Sequence, residues 1–121
     1  MQSLFTEVSG QGKTVVLLPG MLATTAFYRP LAKILSLKHQ VVSMDLLGFG
    51  RSEAPKESDY SLNEHLESIN KTLEVLQIDK PFTLVGHSMG AQFFSAKRKQ
   101  KKILPITQHY LKFYFMGRLL S

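Results

Sequence analysis

The stretch Phe82-Thr83-Leu84-Val85-Gly86-His87-Ser88-Met89-Gly90 constrains this chain more than any other. A short apolar run, read as a strand, feeds directly into a G-x-S-x-G pentapeptide. A serine that attacks carbonyls must stand clear of its own backbone, on a tight turn between a strand and a helix. A Cβ on either flanking residue would strike neighbouring backbone, so glycine is needed on both sides. The following helix would aim its unpaired N–H groups and positive dipole end at the point where an oxyanion forms.

The chain upstream supplies the partners such a turn needs. Leu4–Val8 reads as a short first strand closed by Gly10-Gln11-Gly12. Thr14-Val15-Val16-Leu17-Leu18, stopped by Pro19-Gly20, is unbroken enough to be buried on both faces, as a parallel sheet requires. Phe27, Leu31, Ile34 and Leu35 recur at helical spacing, with Thr24 or Thr25 to cap and Pro30 near the first turn. Gln40–Met44 is the next strand. Ser61-Leu62-Asn63-Glu64 then forms a capping box, in which Ser61 accepts from the Glu64 N–H and Glu64 reaches back to Ser61. Leu62, Leu66, Ile69, Leu73 and Leu76 make one apolar stripe, and Asp79-Lys80-Pro81 ends that helix. Strand and helix alternate, so the expected fold class is α/β, with right-handed crossovers and a short parallel sheet flanked by helices.

With the strand, Gly86-His87-Ser88-Met89-Gly90 and a helix in that order, the chain resembles the α/β-hydrolase superfamily over about residues 12–92. Three more segments fall in the right sequence. Leu18-Pro19-Gly20-Met21 resembles the family's oxyanion loop, with Pro19 where a histidine is usual. Asp45-Leu46-Leu47-Gly48-Phe49-Gly50-Arg51-Ser52 resembles its D-x-x-G-x-G-x-S stretch. Tyr60-Ser61-Leu62 opens the helix leading to the serine turn. The resemblance implies Ser88 as nucleophile, the Met89 and Met21 N–H groups as oxyanion donors, and a small-molecule acyl substrate. It implies that Asp45 accepts hydrogen bonds from the Gly48–Ser52 turn and is not the triad acid. His87, adjacent to Ser88, is expected to be packed. His39 and His65 read as surface or helix-face histidines. No cofactor and no metal is expected, and Gly48–Ser52 lacks the G-K-[ST] of a phosphate cradle.

The resemblance stops after Gln92. The family's chain order is serine, then acid, then histidine. Downstream of Ser88 there is no Asp or Glu, and the only histidine is His109. The charge also shifts. Residues 1–90 carry eight Lys/Arg against nine acids, whereas residues 91–121 carry seven and no acid. Ala91, Phe93, Phe94 and Ala96 start a helix that Lys97-Arg98-Lys99-Gln100-Lys101-Lys102 then leaves without an apolar stripe, and residues 103–121 show no strand–helix order. The expected organisation is therefore an incomplete α/β-hydrolase fold over 1–92 and an atypical basic, aromatic tail over 93–121. A changed reading frame near residue 92 accounts for the charge shift, the lost helix and the missing partners together. A tail binding a protein partner or a membrane surface through 97–118 is the alternative, and no nucleic acid is expected. Without later strands, the far edge of the 82–85 strand is expected to be bare and the domain marginal. There is no cysteine, so disulfides are excluded. The N-terminus lacks a basic region followed by an apolar one, and no apolar run reaches membrane-span length, so the expected location is cytoplasmic.

Overall fold

The computed structural model describes residues 2–20, 23–78, 80, 82–87 and 110–116. In chain order they form β1 (Thr6–Ser9), β2 (Lys13–Leu18), α1 (Thr25–Leu35), β3 (His39–Met44), α2 (Leu62–Val75), β4 (Phe82–His87) and β5 (Tyr110–Met116). The strands make one sheet in the order β1-β3-β2-β4-β5. β2 pairs in parallel with both β3 and β4, and β4 pairs in parallel with β5.

Two details differ from a purely parallel sheet with a bare edge. β1 runs antiparallel to β3, so the sheet is mixed. A parallel neighbour needs a crossover of a dozen residues, whereas the short Gly10–Gly12 turn leads from β1 straight into β2. At the other side, residues 110–116 of the basic tail form a strand and cover the far edge of β4, from Phe82 opposite Tyr110 to His87 opposite Met116. Tyr-Leu-Lys-Phe-Tyr-Phe-Met has no period-2 alternation, and its place in the sheet is set by the parallel pairing with β4. The expected bare edge of β4 and the expected lack of any strand in 103–121 are both corrected by this pairing.

Alternate strand residues feed two cores. Val16, Leu18, Val42, Met44, Phe82 and Leu84 pack with Leu66, Ile69 and Leu73 of α2. Val15, Leu17, Val41 and Val85 pack with Tyr28 of α1, flanked by Leu31, Ala32 and Leu35. Each fully buried Leu, Val or Ile contributes about 1.5–3 kcal/mol by leaving water, so these two layers hold the domain together. The N-terminal residues are tied to the first of them. Leu4 N–H donates to Thr72 Oγ1 (2.8 Å) and Phe5 N–H to Ser52 Oγ (2.9 Å).

The helices follow their local sequence, with three corrections. In α2, Ser61 Oγ accepts from Glu64 N–H (3.2 Å) as expected, but the Glu64 carboxylate does not return to Ser61. It accepts from Asp59 N–H (3.0 Å) and Tyr60 N–H (3.2 Å), and Ser61 N–H goes to Asp59 Oδ1 (2.8 Å). The helix also stops before Asp79. Gln77 takes φ 59°, Gln77 N–H donates to Glu74 C=O (2.9 Å) and Ile78 N–H to Leu73 C=O (3.0 Å). That is the Schellman arrangement, with glutamine where glycine is usual. In α1, Thr24 is the cap, and Pro30 lies inside the helix rather than in its first turn, so it offers no N–H to the Ala26 carbonyl. The buried face centres on Tyr28, which is 1% exposed, while Phe27 and Ile34 stand out at 47% and 67%.

Candidate active site

β2 and β4 flank the point where the sheet order changes direction, the place where such sheets form a crevice. From β2 the chain crosses to β3 on one side, and beyond β4 the sheet continues with β5 on the other. In open α/β sheets ligands bind outside the carboxyl ends of the strands where the connections diverge in this way. The register fixes what meets there. Leu18, the last residue of β2, is paired with Gly86 of β4. Pro19-Gly20 and His87 therefore continue neighbouring strands at the same level, about 4.8 Å apart. Ser88, Met89 and Met21, the expected nucleophile and oxyanion donors, lie outside the described residues, as do the side chain of His87 and the helix expected from Ala91.

The segment between β2 and α1 is held at both ends. The Tyr28 hydroxyl donates to the Leu18 carbonyl (2.8 Å, buried), and burial pushes this phenol well above its ordinary pKa. Ala23 N–H donates to Gly20 C=O (3.1 Å), and Thr24 Oγ1 accepts from Ala26 N–H (3.3 Å). Thr25 N–H then donates to Asp45 Oδ1 (2.6 Å).

Asp45 is the centre of this framework. It is 2% exposed and follows β3 directly. Its Oδ2 accepts from Arg51 N–H (2.9 Å) and its carbonyl from Ser52 Oγ (2.6 Å). The expectation that Asp45 accepts from the Gly48–Ser52 turn holds. Its second role, at the N-terminus of α1, was missed. The first turn of α1 has no acid of its own, and a helix start favours a negative charge. Asp45 supplies that charge from the neighbouring strand. Gly50 has φ +53°, and a Cβ there would overlap Asp45 Oδ2. Glycine at this position is required by conformation and by space alike.

The histidines separate cleanly. His39 opens β3, at the opposite end from Asp45, with Nδ1 3.3 Å from the Leu35 carbonyl. His65 is not a surface histidine. It is 5% exposed within α2, and burial lowers its pKa. His109 lies outside the described residues. A cavity of about 370 Å³ is lined by Gly12, Thr14, Gln40, Gln77 and Lys80. It sits where β2 and β3 begin, across the sheet from the crevice. Among the described residues, no group of His, Asp and Glu could hold a metal ion.

A mixed sheet with α1 and α2 packed on it, and a G-x-S-x-G sequence that begins at the end of β4, defines a class of hydrolase-like α/β domain. The alpha/beta hydrolase fold family matches residues 13–96, and the chain belongs to it. Among curated relatives it is 36% identical over 80 residues to "Probable lysophospholipase BODYGUARD 3" of Arabidopsis thaliana, covering 63% of this chain and 16% of that protein. It is 34% identical over 83 residues to the cis-3-alkyl-4-alkyloxetan-2-one decarboxylase of Shewanella oneidensis, covering 67% and 26%. A marine microorganism esterase superposes with a TM-score of 0.77 at 21% identity, over 95% of this chain and 41% of the esterase. The chain thus spans about a sixth to a quarter of the length of these two curated relatives.

Proposed function

We propose that this chain carries the nucleophile portion of a serine hydrolase site for an ester, amide or related acyl bond. Ser88 Oγ would attack the acyl carbon, and the Met21 and Met89 N–H groups would hold the oxyanion. The carrying observation is the Leu18–Gly86 register, which sets the ends of β2 and β4, the strands these residues follow in the sequence, side by side. Asp45 and Tyr28 support the reading by fixing the ends of the segment that contains Met21.

Turnover by this chain is expected to be slight. No acid follows Ser88 and the one downstream histidine is His109. Losing the base of a serine protease costs on the order of 10⁶ in kcat, while an oxyanion hole and binding retain about 10³–10⁴ over water. Hydrolysis of p-nitrophenyl acetate should be slow, lowered by Ser88→Ala and unchanged by His109→Ala. Labelling by a fluorophosphonate should map to Ser88. Labelling elsewhere would remove the nucleophile assignment, and ordinary turnover would remove the claim of a missing base.

A second reading makes the chain a non-catalytic hydrolase-like module, whose residues 93–121 follow a changed frame or bind a partner. The acid-free, net +7 composition of residues 91–121 favours it. Translating the coding DNA in the other frames beyond codon 92 separates the cases, because an acid and a late histidine reappear only if the frame changed.

A further inference from the structure

Helix α1 buries Tyr28 and turns a second apolar surface outward. Phe27 and Ile34 lie seven residues apart, two turns or about 10 Å along the same side, and are 47% and 67% exposed. Leu37, in the turn that closes the helix, is 83% exposed, and its N–H is held by the Ile34 carbonyl at 3.3 Å. Lys33 and Lys38 are next to Ile34 and Leu37 in the sequence and, like Arg29 further round the helix, are exposed. Arg29 pairs with Glu7 at 2.7 Å, the only ion pair among the described residues, which leaves Lys33 and Lys38 without an acidic partner there. No Asp or Glu occurs anywhere between Glu7 and Asp45.

Ordinary monomer surfaces scatter their exposed apolar residues singly, and a grouped set signals a binding surface. This one is convex, being the outer side of a helix, so its occupant must be flat or yielding. It is bordered by cations of one sign, so its occupant must be anionic. A helix with bulky apolar residues on its exposed side and Lys/Arg beside them suits the headgroup–acyl boundary of a bilayer. Among the described residues no helix is long and apolar enough to cross a membrane, which leaves attachment parallel to the surface.

We propose that the outer face of α1 docks on the surface of an anionic phospholipid bilayer, with Phe27, Ile34 and Leu37 entering the interface and Lys33 and Lys38 meeting the headgroups. This proposal uses residues outside the basic tail and does not depend on any chemistry at Ser88. The test is cosedimentation of the full chain with phosphatidylcholine vesicles, with and without phosphatidylserine. Binding should require phosphatidylserine and weaken with salt. Ile34→Ser/Leu37→Ser should weaken it at least about tenfold, since each buried methylene adds to the partition. Lys33→Glu/Lys38→Glu should weaken it by about fivefold or more for each charge lost near the surface. All four positions are exposed, so circular dichroism should show both variants folded. No binding by the parent chain overturns the proposal. So does equal binding by the α1 variants, which would place the contact in the basic tail. A dimer in sedimentation velocity that Ile34→Ser/Leu37→Ser dissolves, without vesicle binding, overturns it in favour of a second copy.

Discussion

Replacing Asp45 by asparagine tests the framework of the crevice at its centre. The side chain is nearly isosteric, so packing is retained and the change falls on hydrogen bonding. Two backbone N–H groups point at the carboxylate, Thr25 at 2.6 Å and Arg51 at 2.9 Å. An amide has one oxygen to offer them, so its NH₂ must face the other donor. Hydrogen bonds to charged groups contribute about 1.5–3 kcal/mol each, and a buried donor left unmet costs about 1–3 kcal/mol. The start of α1 also loses a charge opposite its dipole, about 0.3–1 kcal/mol. These terms overlap, and the expected loss is about 2–4 kcal/mol. Urea unfolding with a slope of about 1–3 kcal/mol/M would show the midpoint falling by about 1–2 M. Asp59→Asn is the control. Asp59 also accepts a backbone N–H, from Ser61 at 2.8 Å, but at an exposed position where asparagine serves equally well. A loss below about 0.5 kcal/mol in Asp45→Asn, or an equal loss in Asp59→Asn, would refute the view that a buried carboxylate ties β3, α1 and the 48–52 turn together.

Three further outcomes are expected. Gln77→Gly should stabilise by about 0.5–1 kcal/mol in the same titration, because glycine removes the left-handed penalty at φ 59° at some cost in unfolded-state entropy, while Gln77→Ala should gain nothing. Tyr28→Phe should lose about 1–2 kcal/mol by leaving the buried Leu18 carbonyl without its hydroxyl donor. Because burial raises the Tyr28 pKa above its usual 10.0, the unfolded chain gives up this proton first. Stability should therefore fall above about pH 10, and this component should vanish in Tyr28→Phe. For His65 the pKa is lowered from 6.5 by burial, so below that pH the unfolded chain binds a proton that the folded one resists. Stability should drop as pH falls below 6.5, and His65→Gln should lack that part of the drop.

The repeating features of the fold were legible because each rests on a local rule. The Leu66-Ile69-Leu73 stripe, the Ser61 cap and the apolar runs of β2, β3 and β4 all sit where sequence pattern placed them. The departures come from interactions that no local rule encodes. Tyr28 displaced Phe27 and Ile34 from the interior because its hydroxyl finds the Leu18 carbonyl, so a residue counted as polar-tipped could be buried at no hydrogen-bonding loss. Pattern alone also missed β5, since an aromatic run interrupted only by Lys112 carries no period. At the crevice, the role of Asp45 toward its own turn was implied by the family resemblance of the Asp45–Ser52 stretch. Its role toward α1 was not, because the Thr25 amide it meets is twenty residues earlier and reaches it only through the parallel β2–β3 pairing.

The Leu18–Gly86 pairing has a consequence for how the molecule is made. β2 lies in the middle of the sheet, yet one of its two edges is completed by a strand that begins 64 residues after it ends. On the ribosome, at about 5–20 residues per second, several seconds pass between the synthesis of β2 and that of β4. During that interval β2 can pair with β3 and receive α1, while its other edge stays open to any strand nearby. Closing so long a loop makes that docking a late and slow event. The two sides of the crevice therefore come into being together, at the last central pairing, and a chain stalled before Phe82 would present the most aggregation-prone edge of the domain with no trace of its site.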